Sequence, residues 1–266
     1  MSDGAARLRA AFPTDRAALI PYVMGGFPSV EQSLDYARAL APYADILELG
    51  IPFSDPLADG PTIQAAGQRS LAAGTRPGDV IDIAAALRGG PPVVLMTYVT
   101  LLIAAGPGAF FARAAAADVA GVIIPDLPID EGDEIRTAAH MSGVAVVPLA
   151  APTTTDERLH AIGRESDAFT YLVSVAGVTG GEVAVDESLR EFVGRARRAI
   201  EGPLAVGFGI RTPAQAAAIG GFADGVVIAS HLVRLIEDAE DHAHAIAALD
   251  HYGAELVAAL AGARTA

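Results

Sequence analysis

The stretch Asp45-Ile46-Leu47-Glu48-Leu49-Gly50-Ile51-Pro52-Phe53-Ser54-Asp55-Pro56-Leu57-Ala58-Asp59-Gly60-Pro61-Thr62-Ile63-Gln64 decides the reading of this chain. Its first part is short and apolar, the pattern of a buried strand. Pro52, Ser54-Asp55-Pro56 and Asp59-Gly60-Pro61 then break regular structure. Alternate residues of a strand face opposite sides, so Leu47, Leu49 and Ile51 share one face, and Glu48 lies on the other with Ile46 and Gly50. An ionised carboxylate inside an apolar strand is costly to bury unless something compensates it. A second carboxylate, Asp59, follows in the adjoining loop. On spacing alone two readings stay open. Asp59 is an ordinary N-cap, Asp55-Pro56 an ordinary turn and Glu48 a strand-end acid reaching solvent; or the two acids form a site.

Outward from this stretch, strand-like and helix-like segments alternate to both ends. A leader helix is expected around Ala5–Ala11. Leu19–Val23 reads as a first strand with Val30–Leu40 as its helix, and Ile46–Ile51 as the second, followed by a helix from about Thr62 to Ala73. An additional helix fits Asp79–Leu87, with Asp79 as its N-cap after Pro77-Gly78. Val93–Tyr98 is the third strand, with a helix over Ala109–Ala117. Gly121–Asp126 is the fourth, with Glu131–Met141 behind it. Val144–Leu149, Phe169–Ser174, Leu204–Phe208 and Gly225–Ile228 complete the set. Their helices fall at Thr155–Gly163, near Glu187–Ile200, after Thr212-Pro213, and in a long C-terminal region. Eight such units in about 250 residues predict a (β/α)8 barrel, with a doubly wound open sheet as the runner-up. Near-continuous apolar strands suit a parallel sheet covered on both sides. No linker or composition shift interrupts the pattern, so residues 1–266 read as one domain. In such a barrel, active-site residues sit on the loops after the C-terminal strand ends, which is where Glu48 and Asp59 fall.

Composition narrows the chemistry. The 266 residues are 52% hydrophobic, enough for a sizeable core, yet no apolar run approaches the roughly 18–20 residues of a membrane span. The N-terminus lacks the apolar segment of a signal peptide, and a cytoplasmic protein is expected. With no cysteine there is no disulfide framework, no thiolate nucleophile and no Cys-ligated metal. A net charge of −14 argues against nucleic acid or an anionic membrane as partner. It does not exclude a phosphorylated substrate, because backbone N–H groups bind phosphate without any cationic side chain. All 18 basic residues are arginine. Schiff-base aldol chemistry, lysine-bound pyridoxal and a P-loop are thereby excluded in this chain.

Three further stretches carry candidate chemistry. In Phe169–Ser174, alternation turns Tyr171 into the barrel if Leu172 packs outward; a core tyrosine with a satisfied hydroxyl is the plain alternative. Gly177–Gly181 then gives a long loop suited to a lid or to phosphate. Gly207-Phe208-Gly209-Ile210 and Ile228-Ala229-Ser230 close the last two strands, where barrels commonly bind phosphate against a short helix. Asp126 reads better as a turn cap before Pro128 than as a catalyst. Arg211 reads as a phosphate ligand or as a surface residue. His242 and His244 do not share a helix face and read, with Glu240 and Asp241, as solvated surface. His140, His160 and His231 are scattered, without metal-ligand spacing.

The opening stretch closely resembles the signature of the tryptophan synthase alpha chain family, E-L-G-x-P-[FY]-S-D-P-x-A-D-G-P-x-I-Q, with every fixed position met between Glu48 and Gln64. A second family pattern, Y-x-x-S-x-x-G-V-T-G, matches Tyr171 to Gly180. The resemblance runs from Tyr22 to about Glu237 and implies a (β/α)8 barrel that cleaves indole-3-glycerol phosphate to indole and glyceraldehyde 3-phosphate. It implies that Glu48 is the acid/base, that Asp59 stabilises positive charge on the indole N–H, and that Tyr171 helps to position them. It places the phosphate at the amides of Gly180, Gly209, Ala229 and Ser230. Tyr22, Met96, Tyr98, Ile123, Leu149 and Phe208 would enclose the indole, with Thr179 closing over Asp59. No cofactor is implied in this chain. A pyridoxal-phosphate beta chain is the implied partner in an alpha2-beta2 heterotetramer, facing Pro52–Pro56 and the region after Tyr98. Four positions depart from the family pattern: Ala229 where Gly is usual, Phe27 for Asp, Thr100 for Asn and Val175 for Arg. Alternatives are a stand-alone lyase, a barrel acting mainly as activator of a beta chain, and, on fold analogy alone, a sugar-phosphate isomerase.

Overall fold

The structure, a computed structural model, describes residues 2–174, 185, 187–207 and 209–263. Among these residues the strand segments are β1 (Ala18–Met24), β2 (Leu47–Gly50), β3 (Val93–Met96), β4 (Val119–Ile123), β5 (Ala145–Val147), β6 (Leu149–Ala150), β7 (Thr170–Val173), β8 (Leu204–Gly207) and β9 (Gly225–Ile228). All pair in parallel, in the order β5-β4-β3-β2-β1-β9-β8-β7-β6. The two ends of that order are halves of one strand. Proline cannot donate to a ladder, and Pro148 divides the expected fifth strand: β5 pairs with β4, β6 pairs with β7, and the Pro148 carbonyl accepts from the Tyr171 N–H at 3.0 Å. The ring thus closes as an eight-position (β/α)8 barrel.

The sheet is buried on both sides, as parallel sheets are. Leu47, Leu49, Leu95, Val122, Leu172, Val206 and Val226 pack outward against the helices. Ile20, Ile46, Val94, Ile123, Phe169, Tyr171 and Val227 fill the interior. Both strand faces therefore follow the alternation read from the sequence.

Helix α1 (Asp3–Ala10) closes the N-terminal end of the barrel. Ser2 caps it by accepting from the Ala5 N–H at 3.1 Å, the Gly4 N–H donates to the Gly143 carbonyl at 2.9 Å, and Leu8 is buried in the interior cluster. Arg7 pairs with Asp118 at 2.8 Å.

The outer helices are α2 (Val30–Leu40), α3 (Pro61–Ala72), α4 (Pro77–Ala86), α5 (Val99–Ala105), α6 (Pro107–Ala116), α7 (Asp133–Met141), α8 (Asp156–Glu165), α9 (Glu187–Ala199), α10 (Pro213–Gly220), α11 (Ser230–Asp238) and α12 (His242–Gly262). Several differ from the sequence reading. Asp79 is not an N-cap: α4 begins two residues earlier, Arg76 is the cap, and the Asp79 carboxylate accepts from the Arg76 N–H at 2.7 Å. Proline at the first helical position, with φ already fixed, explains the earlier start. Helix α5 was not foreseen, because Val99–Ala105 lacks polar punctuation. Asp126 caps that helix rather than its own turn, accepting from the Val99 N–H at 2.9 Å. His242 is not simple solvated surface either, since its ring joins Tyr36 and Asp35, each at 3.1 Å. No single helix among the described residues is long and apolar enough to cross a membrane; α5 and α6 together reach that length but meet at 94°.

Candidate active site

Glu48 sits in the middle of β2, on the rung shared with Tyr22 of β1 and Val94 of β3. Its neighbours Leu47 and Leu49 face the helices, so the carboxyl enters the barrel, where it is 1% exposed. One of its oxygens, Oε2, has no hydrogen-bond partner among the described residues. Burial, and secondarily the negative charge of Asp59, push the carboxyl up to about 8.

Asp59 lies on the loop between β2 and α3. Gln64 on the first turn of α3 fastens that loop, its Nε2 donating to the Asp59 carbonyl at 2.9 Å. The Asp59 N–H closes a turn onto the Pro56 carbonyl at 3.2 Å. The last residue of the opening motif thus holds the loop that carries its second acid. Burial raises the Asp59 carboxyl to about 6, against an opposing effect from the Tyr98 hydroxyl. That hydroxyl faces Asp59 but makes no hydrogen bond of ordinary geometry. Phe53 stacks on the Tyr98 ring at 5.0 Å, joining the β2 loop to the end of β3.

Two tyrosines lie across glycines of neighbouring strands. The Tyr22 hydroxyl occupies the place where a side chain at Gly50 would stand, with a Cβ there falling 1.9 Å from it. The Tyr171 hydroxyl lies likewise over Gly207, at 2.1 Å from a built Cβ. Both phenols are raised well above their usual range, by burial first and then by the two carboxylates, and so remain protonated donors. Gly50 and Gln64 had no stated role in the sequence reading, and Gly207 figured there only in a stretch suited to phosphate. The signal available was the fixed glycine two residues after Glu48, on the same strand face.

Of the other expected site residues, Met96 and Ile123 share a rung one layer above Glu48, and Leu149 shares a rung with Tyr171. Gly209 has φ 72°, which favours glycine. Ala229, with φ −125°, is outside the left-handed region where alanine is strained, so replacing the usual glycine costs nothing on that account. It is the N-cap of α11, Ser230 is the first residue of that helix, and no side chain caps its amides. Arg211 is tied through its backbone, its N–H to Gln215 at 2.9 Å and its carbonyl to the Tyr252 hydroxyl at 3.0 Å. Phe27 is buried with the Arg69 guanidinium over its ring, and Thr100 is exposed. Thr179, Gly180, Phe208 and Val175 lie outside the described residues. No group of three or more His, Asp or Glu suited to a metal occurs among the described residues.

A buried carboxyl and a half-buried one, at the C-terminal end of a closed barrel, place the candidate active site where enzymes of the (β/α)8 class carry theirs. The family profile described as tryptophan synthase alpha chain matches residues 8–260. Tryptophan synthase alpha chains from Gloeobacter violaceus and Novosphingobium aromaticivorans are each 45% identical. The first match covers 88% of this chain and 87% of the relative, and the second 97% and 98%. Among solved structures, tryptophan synthase from Mycobacterium tuberculosis superposes with a TM-score of 0.88 at 35% identity, covering 97% of this chain and 98% of that one. The alpha subunit from Legionella pneumophila gives 0.88 at 31% identity, covering 98% of each. A tryptophan synthase complex from Pyrococcus furiosus gives 0.83 at 35% identity, with 91% and 98% covered. The chain belongs to the tryptophan synthase alpha chain family, a family of indole-3-glycerol-phosphate lyases.

Proposed function

We propose that Glu48, Asp59 and Tyr171 divide the lyase reaction in this chain. The observation that carries the assignment is the placement of the acids, Glu48 inside the barrel on β2 and Asp59 on the loop at its mouth; burial raises both carboxyls, Glu48 the further, which suits Glu48 to holding a proton and Asp59 to ionising first. Protonated Glu48 delivers its proton to indole C3, making the ring electron-poor, and ionised Asp59 stabilises the positive charge that develops on the ring N–H. Glu48, now a carboxylate, takes the proton of the glycerol hydroxyl next to the ring. The carbon–carbon electron pair returns to the indole, and the former alcohol leaves as the aldehyde of glyceraldehyde 3-phosphate. No Schiff base is formed, in keeping with a chain that has no lysine. Tyr171 donates from the far wall of the barrel and positions the reacting groups.

The phosphate is bound by backbone amides of Gly180, Gly209, Ala229 and Ser230, with the open N-terminus of α11 supplying helix-end N–H groups. Tyr22, Met96, Tyr98, Ile123, Leu149 and Phe208 hold the indole, and Thr179 closes over Asp59. The partner is a beta chain carrying pyridoxal phosphate, in an alpha2-beta2 assembly in the cytoplasm. Support for the docking face comes from Leu57 and Ile103, large apolar side chains 91% and 64% exposed on the β2 loop and on α5.

The test is indole release from indole-3-glycerol phosphate by the purified protein, alone and with a beta chain, beside Glu48→Gln. Slow release alone, strong activation by the beta chain and loss of at least about a thousandfold in the variant are expected for a general acid/base. Fast release that the beta chain leaves unchanged would point to a stand-alone lyase. Activation of the beta chain without indole release would leave only the activator reading.

A further inference from the structure

The Tyr22 phenol is a weakly committed polar group beside the acid pair. It is 3% exposed, out of reach of bulk water, and among the described residues its hydroxyl donates to the Met24 sulfur alone, at 3.7 Å. A thioether is a weak acceptor, and among the described residues no hydrogen bond joins the hydroxyl to Glu48 or Asp59, so a small shift of the side chains is needed for it to reach either carboxylate. The better acceptors are close. Tyr22 shares a rung with Glu48, and its oxygen stands over Gly50, two residues further along the strand that carries Glu48 and toward the Asp59 loop. Successive same-face residues of a strand are separated by about 6.6 Å, so the phenol oxygen lies one layer above the Glu48 backbone on the side of the barrel mouth. The groups that bear on it electrostatically are Asp59 first, then Glu48, with Tyr98 after β3 and Tyr171 on β7. Glu48 offers an unpartnered buried oxygen. Among the described residues, a buried acceptor without a donor and a buried donor with a poor acceptor thus share one wall of the barrel, a layer apart.

We infer that Tyr22 is a positioning residue for the acid pair, its hydroxyl leaving the Met24 sulfur to donate to whichever of Glu48 and Asp59 is ionised. This goes beyond lining the indole pocket, and its kinetic consequence rests on the function proposed above. A donor aimed at a carboxylate favours the ionised form and lowers its proton affinity. Met24 competes for that donor, so the two side chains act in opposite directions on the same titration.

The experiment compares wild type, Tyr22→Phe and Met24→Leu by carboxyl titration of the free proteins with carbon-13 NMR, and by the pH dependence of indole release. In Tyr22→Phe the carboxyl titrations and the acidic limb of the rate profile move up by about one pH unit, kcat near neutrality falls about tenfold, and KM stays within about twofold because the ring remains. In Met24→Leu the titrations and the acidic limb move down. Titrations that coincide in the three proteins, or that move the same way in both variants, would overturn the inference, the second result being what simple repacking gives. Absence of indole release from wild type would defeat the lyase reading instead, and the NMR comparison would still decide the role of Tyr22.

Discussion

Folding keeps a proton on Glu48 across a span of pH in which the unfolded chain releases it. Its ordinary value is 4.5 and the folded value about 8. Between those limits the native state binds one more proton than the unfolded state, so stability falls as pH rises, by about 1.4 kcal/mol per unit. Below the lower limit both states are protonated, and above the upper one both are ionised. Asp59 adds an effect of the same sign between 3.8 and about 6. Glu48→Gln should therefore be more stable than wild type, with an advantage that grows from about pH 5 to 8 and levels off beyond. Urea midpoints across that range would check it; a variant less stable at pH 8 would show that the carboxyl is compensated by contacts outside the described residues. The acid itself was legible in the sequence, because a lone Glu between apolar strand residues breaks a pattern. The slots at Gly50 and Gly207 were not, because each is defined by a tyrosine on a different strand.

At the scale of elements, the loop carrying Asp59 depends on one side chain of α3. Removing the Gln64 amide takes away the 2.9 Å bond to the Asp59 carbonyl. Gln64→Ala is expected to lower kcat about tenfold with KM within about twofold, since a misplaced catalytic group costs rate more than binding. A KM effect without a kcat effect would assign Gln64 to substrate binding. Local sequence signals found the strands well: β9 has the expected Gly225–Ile228 bounds, and β8 starts at Leu204 as read. They failed where the determinant is distant. The start of α5 is capped by Asp126 of the next unit, 27 residues away. The division of the fifth strand at Pro148 shows only when both neighbouring strands are in place. Asp79 failed for a local reason, the precedence of Pro77 at the helix start.

For the whole molecule, α1 matters more than its eight residues suggest. Leu8 is fully buried, with its Cδ1 against Gly121 on the inner wall. Leu8→Ala should cost about 2–5 kcal/mol by leaving a cavity in the floor of the barrel. It should spare the activity of the folded fraction, because the acids lie at the other end. Urea unfolding and specific activity per folded molecule would separate the two; equal losses in both would mean that the floor shapes the site directly. The helix was legible in the sequence but its place was not, since nothing in Asp3–Ala10 says which end of a barrel it will stop.

A vessel stoppered at one end has a single doorway. Because α1 closes the floor, Glu48 and Asp59 are approached from the opposite mouth, and Leu57 and Ile103 stand exposed on the part of its rim formed after β2 and β3. Under the function proposed above, a partner settled on that rim stands across the way in and out, and its hold on the enzyme is that of a doorkeeper.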